Sequence, residues 1–345
     1  MKKTIAISAL MLAGFAAAAQ NTQTVISEAA AALSQAEDVP VKVEKPKYWD
    51  NAVTTSISFG QTYLSQWAAG GYNNVTINAN LDGRANYTRD KLLGVTRLQM
   101  DYGLLYSADK PIFQKTKDRI YFESKWGLQS GIKNLAYSAS FDFRTQFDNN
   151  YAYGTPKADG ETEPTKEDWL NARTLKSGFF SPAYVNLGLG ILWTPAPWFS
   201  LNVAPLTGGL VVVNQEALRK TYGMQLREES LDASIGANYR SVRFDLGAQI
   251  KADASWVIND EFAYTTQLAL FYNYLKPKVE PRVTWDNKIV WKLRKWMALT
   301  FTTNLIYDPL VLVRDTDGDG VADAKGVQFR QYSEIGFTYT IANKR

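Results

Sequence analysis

Apolar and polar side chains alternate along most of the chain between Ala52 and Ile341. The segment that begins at Tyr137, for example, has the order Tyr-Ser-Ala-Ser-Phe-Asp-Phe-Arg. Successive side chains of a β-strand point to opposite faces, so a period of two predicts strands rather than helices. Each predicted strand then has one apolar face and one polar face.

Twelve stretches with this period predict twelve strands. They run from Val53 to Trp67, Val75 to Tyr87, Val95 to Tyr106, Ile120 to Ile132, Tyr137 to Phe147, Ala183 to Trp193, Trp198 to Val213, Val242 to Trp256, Phe262 to Tyr274, Val283 to Leu293, Trp296 to Tyr307 and Val327 to Ile341. Leu231 to Tyr239 alternates too, but its phase breaks before Val242, so we assign it to a β-extension of a loop. Counting it would give thirteen strands, and an odd number would place the two termini on opposite sides of the membrane. We therefore expect twelve strands, with fourteen as the fallback.

The connections between these strands alternate between short and long. The short ones are Arg89–Lys91, Lys133–Asn134, Pro195–Pro197, Ile258–Asp260 and Arg294–Lys295, and the long ones are Ala68–Asn74, Ala108–Lys117, Asn149–Phe180, Asn214–Ser241, Lys276–Arg282 and Asp308–Gly326. Bacterial outer-membrane barrels have short periplasmic turns and long extracellular loops. The pattern predicts an all-β fold, a transmembrane antiparallel up-and-down β-barrel.

A soluble sandwich or small barrel also alternates its faces, but three features argue against it. The strands reach the roughly 9–11 residues that a membrane strand needs, whereas soluble strands average about 5–6. Rings near strand ends predict an interfacial girdle of Trp67, Tyr106, Trp193, Trp198, Trp256, Tyr274, Trp291 and Trp296. The polar faces carry charges of both signs, which predicts that the lumen contains Arg97, Asp101, Glu123, Lys125, Asp142, Arg144, Lys251 and Asp253.

The N-terminal segment has the pattern of a secretory signal peptide. Lys2 and Lys3 precede an apolar run from Ile5 to Phe15 and a run of alanines that ends at Ala19. We expect a signal peptide at residues 1–19, a flexible periplasmic lead at 20–48 and the barrel at 49–345. The expected location is the outer membrane of a Gram-negative bacterium, with both termini in the periplasm.

The chain contains neither histidine nor cysteine. It therefore lacks the imidazole base of most hydrolases, the thiolate nucleophile and the usual ligands of zinc. A Ser-Lys or paired-carboxylate site remains open as chemistry, but no convergent set of such residues stands out. We expect a protein without enzymatic activity, and a formal net charge of only +4 gives no indication of nucleic-acid binding.

Several short strings resemble an outer-membrane barrel family of the Bacteroidetes lineage that is catalogued as a domain of unknown function. The strings are Trp67-Ala-Ala-Gly70-Gly71, Lys115-Thr116-Lys-Asp118, Arg144-Thr145-Gln146-Phe147 followed by Tyr151, Phe180-Ser181-Pro182, Phe271-Tyr-Asn273-Tyr274-Leu275, Leu305-Ile-Tyr307-Asp308 and Glu334-Ile-Gly336-Phe337-Thr-Tyr339. The likeness extends in order from about Trp49 to Ile341. It implies a barrel in the outer membrane and carries no activity with it.

The last long loop contains acidic residues at alternate positions. Asp315, Asp317, Asp319 and Asp323 surround two glycines and resemble the aspartate-rich calcium turns of thrombospondin-type repeats. The position at which an EF-hand needs a bidentate glutamate is Gly326. A solvated Asp/Gly hairpin loop uses the same residues, so calcium binding and a plain turn both remain open. We expect no other cofactor.

The lumen charges allow two interpretations. In the first, they line a narrow aqueous path for small solutes. In the second, they pair across an interior whose width is intermediate between that of filled eight-stranded barrels and that of open sixteen-stranded porins. The leading hypothesis is a non-enzymatic barrel that passes solutes passively or serves the envelope structurally. The alternative is a closed, adhesin-like barrel that binds partners through its long loops, and a membrane enzyme ranks below both. The expected partners are outer-membrane lipid, lipopolysaccharide and the barrel-assembly machinery.

Overall fold

The computed structural model describes residues 48–63, 73–156, 164–259, 261–294, 296–316 and 322–343. Twelve antiparallel strands form a closed barrel, which confirms the predicted fold class and strand number. The barrel strands are β1 (Trp49–Thr62), β2 (Asn74–Arg89), β3 (Leu92–Ser107), β4 (Lys110–Gln129), β5 (Leu135–Thr145), β8 (Ala183–Ala196), β9 (Phe199–Val212), β10 (Val242–Val257), β11 (Phe262–Asn273), β12 (Arg282–Arg294), β13 (Met297–Arg314) and β14 (Ala324–Asn343).

Each barrel strand pairs with its neighbour along the chain, and β1 pairs with β14 to close the ring. The closing ladder runs from Asn51 opposite Asn343 to Ser58 opposite Gly336. The chain therefore enters and leaves the barrel at one end, which we call the terminus end. The short turns also lie there, and the longer connections lie at the opposite end, which we call the loop end.

The alternation of the sequence decides which face of each strand points outward. In β5, Ala136, Ser138 and Ser140 are buried on the inner face, whereas Tyr137 is exposed on the outer face. The residues of one face recur every second position, so a single register places every polar side chain of the strand inside. Among the described residues, no helix has the length and apolar character needed to span a bilayer.

The hairpin between β3 and β4 differs from the expected long loop at Ala108–Lys117. β3 ends at Ser107 and β4 begins at Lys110, so the two strands are joined by a two-residue turn. The start of β4 contains Lys110, Pro111 and further lysines beside exposed Phe113 and buried Ile112, so its sequence does not show a clear apolar period. β13 likewise continues to Arg314 and shortens the loop that was expected from Asp308.

The longest connections fold over the loop end. A small sheet of β6 (Asn150–Tyr153) and β7 (Arg173–Ser177) lies between β5 and β8 with helix α1 (Lys166–Asn171). The segment between β9 and β10 contains helix α2 (Glu216–Arg219) and a 3₁₀ turn (Gly236–Asn238). We call residues 213–241 the cap.

The cap has its own hydrophobic core. Val213, Leu218, Met224 and Tyr239 are buried together with Val211 of β9. The prediction of a β-extension at Leu231–Tyr239 was wrong. Tyr239 packs into this core, and the residues just before it form the 3₁₀ turn. The backbone N–H of Leu312 donates to Thr221 O at 3.0 Å and joins the cap to β13.

Candidate functional site

The inner faces of the strands surround a cavity of about 540 Å³. All eight charged residues assigned to the lumen from the sequence line this cavity: Arg97, Asp101, Glu123, Lys125, Asp142, Arg144, Lys251 and Asp253. Their strands hold them there by the period-two pattern, because their outward neighbours are apolar. The interior is therefore polar and charged, and its charges lie close enough to pair.

Two lysines and three carboxylates form the first group, which we call the lysine cluster. Lys251 Nζ of β10 lies 3.1 Å from Glu123 Oε1 and also donates to Asp142. Lys125 Nζ of β4 lies 3.1 Å from the same Glu123 oxygen and 2.9 Å from Asp253 Oδ2. Every charge of the cluster has at least one partner of opposite sign.

Two neutral amides complete the hydrogen bonding of the lysine cluster. Asn186 donates to Asp142 Oδ2 at 2.6 Å, and Gln267 donates to Asp253 Oδ1 at 2.6 Å. Asp142 and Asp253 therefore use both of their carboxylate oxygens. Buried ionised groups persist only when they are paired and hydrogen-bonded in this way.

A second group, which we call the arginine cluster, lies nearer the loop end. Arg119 of β4 donates through Nε to Asp101 at 2.9 Å and lies with Nη1 4.0 Å from Asp286 of β12. Arg144 of β5 lies 3.6 Å from the same Asp286. Asn304 also donates to Asp286 at 2.5 Å. Asp286 is therefore contacted from both sides of the barrel.

Several of these ion pairs cross the lumen, whereas Arg119 and Asp101 join the neighbouring strands β4 and β3. In the ring order, β4 and β12 are six strands apart in either direction, so Arg119 and Asp286 belong to opposite walls. Lys117 of β4 likewise reaches Glu334 of β14. Side chains that bridge opposite walls occupy the space through which a solute would have to pass.

A third inward group belongs to β2 and β3. Asp82 of β2 accepts from Arg97 at 2.9 Å, from Gln99 at 2.9 Å and from Arg84 at 3.3 Å. Arg97 Nε is buried and has no hydrogen-bond partner among the described residues. Arg97 therefore binds Asp82 through one edge of its guanidinium.

Several lumen charges were missed by the sequence analysis, including Asp82, Arg84, Asp286 and Glu334. The signal that could have found them is the phase of their strands, because each lies on the face opposite the apolar residues. Their partners could not have been found in this way. Which inward charges meet depends on how the strands are staggered around the closed ring.

The cap contributes one residue to the cavity wall at the loop end. Tyr222 of the cap lines the cavity and donates its hydroxyl to Lys176 O at 3.0 Å. Burial raises the pKa of the Tyr222 phenol to about 12, so the group stays neutral and keeps its proton for this bond. Arg243 of β10 donates to Tyr222 O at 3.1 Å and to Gly223 O at 3.0 Å. The cap is thus tied to the wall below it.

The residues assigned to the aromatic girdle lie at both rims of the barrel. Trp193, Trp198, Trp291 and Trp296 are exposed near the terminus end, and Trp256 stacks on Trp198 with ring centroids 5.2 Å apart. Two further girdle residues, Tyr106 and Tyr274, are exposed near the loop end. The last one, Trp67, lies outside the described residues.

The acidic loop is only partly described. Asp317 and Asp319 lie outside the described residues. Asp323 accepts from Thr316 N at 3.0 Å and from the Thr316 hydroxyl, while Asp315 lies in the same connection. Among the described residues no group of three or more acidic side chains could hold a metal ion. Calcium binding by this loop stays a prediction.

Residues 59–151 match the model of a family described as a protein of unknown function, DUF3078. The match confirms the resemblance to a domain of unknown function, whereas the Bacteroidetes lineage stays a prediction. No curated protein matches the chain.

Among solved structures, the chain is similar to the translocator domain of autotransporter NalP from Neisseria meningitidis at 9% identity and a TM-score of 0.34, over 92% of this chain and 97% of that one. It is also similar to outer membrane phospholipase A from Escherichia coli at 11% identity and a TM-score of 0.33, over 96% of both chains. The Pseudomonas putida toluene transporter TodX follows at 8% identity and 0.29, over 87% of this chain and 90% of that one. Likenesses this weak carry no argument about what this chain binds or does.

Proposed function

We propose that the chain is an integral outer-membrane β-barrel with a lumen closed to solutes, and that it acts as a structural or partner-binding component of the envelope through its loop end. The observation that carries this proposal is the set of ion pairs between opposite walls. Arg119 and Arg144 meet Asp286 from across the lumen, and Lys125 and Lys251 of the lysine cluster join β4 to β10. The cap lies at the loop end, where it offers a surface for a partner.

The outer surface supports the placement in a membrane. Large apolar side chains cover it, such as Ile57, Leu187 and Phe329, which are 51%, 58% and 66% exposed. Water-soluble monomers rarely expose contiguous apolar patches larger than a few hundred Å². Hydrocarbon is the solvent that matches such a surface, and a closed barrel leaves no strand edge to hydrogen-bond with it.

The few polar groups on the outer face also fit hydrocarbon. Thr266 and Asn287 lie on the same strand faces as the exposed Trp285 and Trp291. Asn287 Oδ1 accepts from the Tyr264 hydroxyl at 2.7 Å and from Thr266 at 2.8 Å, and Trp285 Nε1 donates to Thr266 at 2.9 Å. These groups satisfy one another, which matters where no water is present.

We propose no catalytic role. The chain contains no histidine or cysteine, so a general base near neutral pKa would have to come from a carboxylate or lysine. Each inward carboxylate and lysine of the lysine cluster has at least one partner of opposite charge. A membrane enzyme is therefore the weakest of the functions considered.

Single-channel recording in planar bilayers tests the closed lumen. Refolded wild-type protein should give no resolvable conductance steps. A fourfold variant, Arg144→Ser, Asp286→Ser, Lys125→Ser and Asp253→Ser, removes two cross-lumen pairs and leaves the summed charge unchanged, so it should conduct. The lumen of this variant should be wider, because short neutral serine side chains replace long charged ones.

The control for this experiment is a variant that changes charge outside the lumen. Lys133→Ser lies in the exposed turn between β4 and β5 and should stay silent. Insertion of every variant is checked by the migration of unheated samples on gels. Regular conductance steps from the wild-type protein that persist under applied voltage would contradict the proposal of a closed lumen. They would favour the narrow channel as the function.

A further inference from the structure

The part of the cavity between the arginine cluster and the cap is called here the loop-end chamber. Five strands (β8, β10, β11, β12 and β13) and the cap contribute to it. Its residues are Tyr184, Tyr222, Gln249, Phe271, Arg282 and Asp308, all of which line the cavity. None of them takes part in the cross-lumen ion pairs described above. The chamber therefore has a composition of its own.

Four of these residues form one continuous row on the inner wall. Gln249 of β10 is paired with Phe271 of β11, and Phe271 is paired with Arg282 of β12. The neighbouring pair, Val283 with Tyr307, brings Arg282 beside Asp308 of β13. Side chains at directly paired positions share a face and lie about 5 Å apart at Cβ. An amide, a ring, a cation and a carboxylate thus stand side by side.

The cation and the carboxylate of this row are held apart. The Arg282 guanidinium lies over the rings of Phe271, at 5.0 Å, and Tyr184, at 5.2 Å from the ring centroids. The ion pairs of the described residues do not join Arg282 to Asp308. Stacking on two rings holds the guanidinium at the wall of the chamber, which Arg282 lines.

Two buried acceptors in the chamber lack hydrogen-bond partners. Asp308 Oδ1 accepts from Leu310 N at 3.0 Å, but Asp308 Oδ2 has no partner among the described residues. Gln249 Oε1 is also without one. Both side chains are only 4% exposed. Native proteins rarely leave buried acceptors unsatisfied, so each such group calls for an explanation.

The combination selects one chemical class of ligand. The free acceptors of Asp308 and Gln249 need hydrogen-bond donors from a ligand, and Arg282 needs an acceptor. The rings of Tyr184, Tyr222 and Phe271 offer apolar faces. A hydroxyl group both donates and accepts, so a neutral polyhydroxylated ring meets all three demands. A simple cation gives nothing to Arg282, and a simple anion is repelled by Asp308.

We propose that the loop-end chamber binds a neutral monosaccharide or disaccharide. Hydroxyl groups of the sugar donate to Asp308 and Gln249 and accept from Arg282, while the rings cover its C–H faces. The chamber is the loop-end part of the cavity of about 540 Å³, whose volume lies in the range of small-molecule sites. This inference is independent of the closed lumen, because a barrel can hold a sugar without conducting it.

The experiment measures sugar binding to the refolded full chain in micelles of an amine-oxide detergent, which carries no sugar headgroup. Glucose, galactose, N-acetylglucosamine and maltose are titrated separately, and saturation-transfer NMR and calorimetry report binding. At least one should bind saturably. Asp308→Leu should weaken that binding by about tenfold or more, since it removes a charged hydrogen-bond acceptor. Gln249→Leu should weaken it as well.

A second readout separates a binding role from a structural one. Asp308→Leu removes one carboxylate oxygen that has no partner and one that accepts from Leu310 N, so without sugar it should lower the melting temperature less than the loss of a fully partnered carboxylate does. The matched control is Asp142→Asn, whose carboxylate is fully partnered in the lysine cluster. It should lower the melting temperature and leave sugar affinity within about twofold, as its side chain lies outside the chamber.

Three results would each overturn the proposal. They are the absence of saturable binding by all four sugars, saturable binding of glutamine as a zwitterionic probe in place of sugars, and unchanged sugar affinity in Asp308→Leu. Conductance of the wild type would contradict the closed lumen and leave this inference untouched.

Discussion

At the scale of single residues, Lys251 shows how the interior tolerates charge. Its ammonium group contacts Glu123 and Asp142, and the side chain is 4% exposed. Such a pair gains little over an apolar replacement of both partners, because desolvation offsets the attraction. Removing one partner alone has a different result, since it leaves the other charges buried without compensation.

We therefore predict that Lys251→Met lowers the free energy of unfolding by about 3–5 kcal/mol. The free energy is measured by urea unfolding of the barrel in micelles, followed by the migration of unheated samples. Lys133→Met, in the exposed turn between β4 and β5, is the control and should change it by less than about 0.5 kcal/mol. Equal effects of the two variants would show that the lysine cluster does not contribute as its contacts indicate.

Arg282 illustrates what a residue type alone does not reveal. The sequence analysis placed Arg282 at the end of the loop Lys276–Arg282. Nothing in the sequence distinguishes the environment of Arg282 from that of Arg119. Only the closed ring places it between Phe271 and Tyr184 rather than opposite a carboxylate. The physical reason is that the distance between strands around the closed ring, and not the distance along the sequence, determines which side chain lies next to Arg282.

At the scale of elements, the cap depends on one buried arginine. Arg219 donates to Val213 O at 3.2 Å, Asn214 O at 3.1 Å and Tyr239 O at 3.3 Å. These carbonyls belong to the two ends of the cap. One side chain thus ties the entry and the exit of the segment together and satisfies groups that no strand ladder reaches.

We predict that Arg219→Met loosens the cap while the barrel stays folded. Backbone amides of residues 214–241 should exchange hydrogen at least about tenfold faster, because the carbonyls lose a charged donor and the local opening free energy falls. Hydrogen exchange with mass spectrometry measures this. Lys220→Met alters the next, exposed residue and should leave exchange unchanged. Faster exchange throughout the barrel strands would mean that the cap is not a separate unit.

The strands themselves were predictable from the sequence, and their ends were not. β5 and β10 lie where the alternation of Tyr137–Phe147 and Val242–Trp256 placed them. The turn after Ser107 was missed because Asp109 and Pro111 are typical of loops and a clear alternation resumes only at Ile120. The chain around Tyr239 was misread because its apolar residues fill the core of the cap.

At the scale of the whole molecule, the closed ring of twelve strands puts both ends of the barrel chain on one side. The short turns share that side, and the cap lies on the other. If the barrel sits in the outer membrane as proposed, each side faces a different compartment. The absence of native cysteine makes this testable with single engineered thiols.

We predict that a membrane-impermeant maleimide applied to intact cells labels Lys278→Cys but not Lys133→Cys. Lys278 is exposed between β11 and β12 at the loop end, and Lys133 is exposed at the terminus end. Permeabilising the outer membrane should make both reactive, which is the control for thiol exposure. Labelling of Lys133→Cys alone in intact cells would reverse the orientation, and equal labelling of both would contradict an outer-membrane location.

The sequence by itself determined the class of fold, the number of strands and the face of each strand that holds charge. These are local properties, because alternation is set by the geometry of consecutive residues in a strand. Only the tertiary structure decided which charges meet, that the pairs cross from wall to wall, and that Asp308 and Gln249 keep free acceptors beneath a cap. Those outcomes depend on the stagger and circumference of the closed ring, which bring together residues more than a hundred positions apart, such as Lys125 and Asp253.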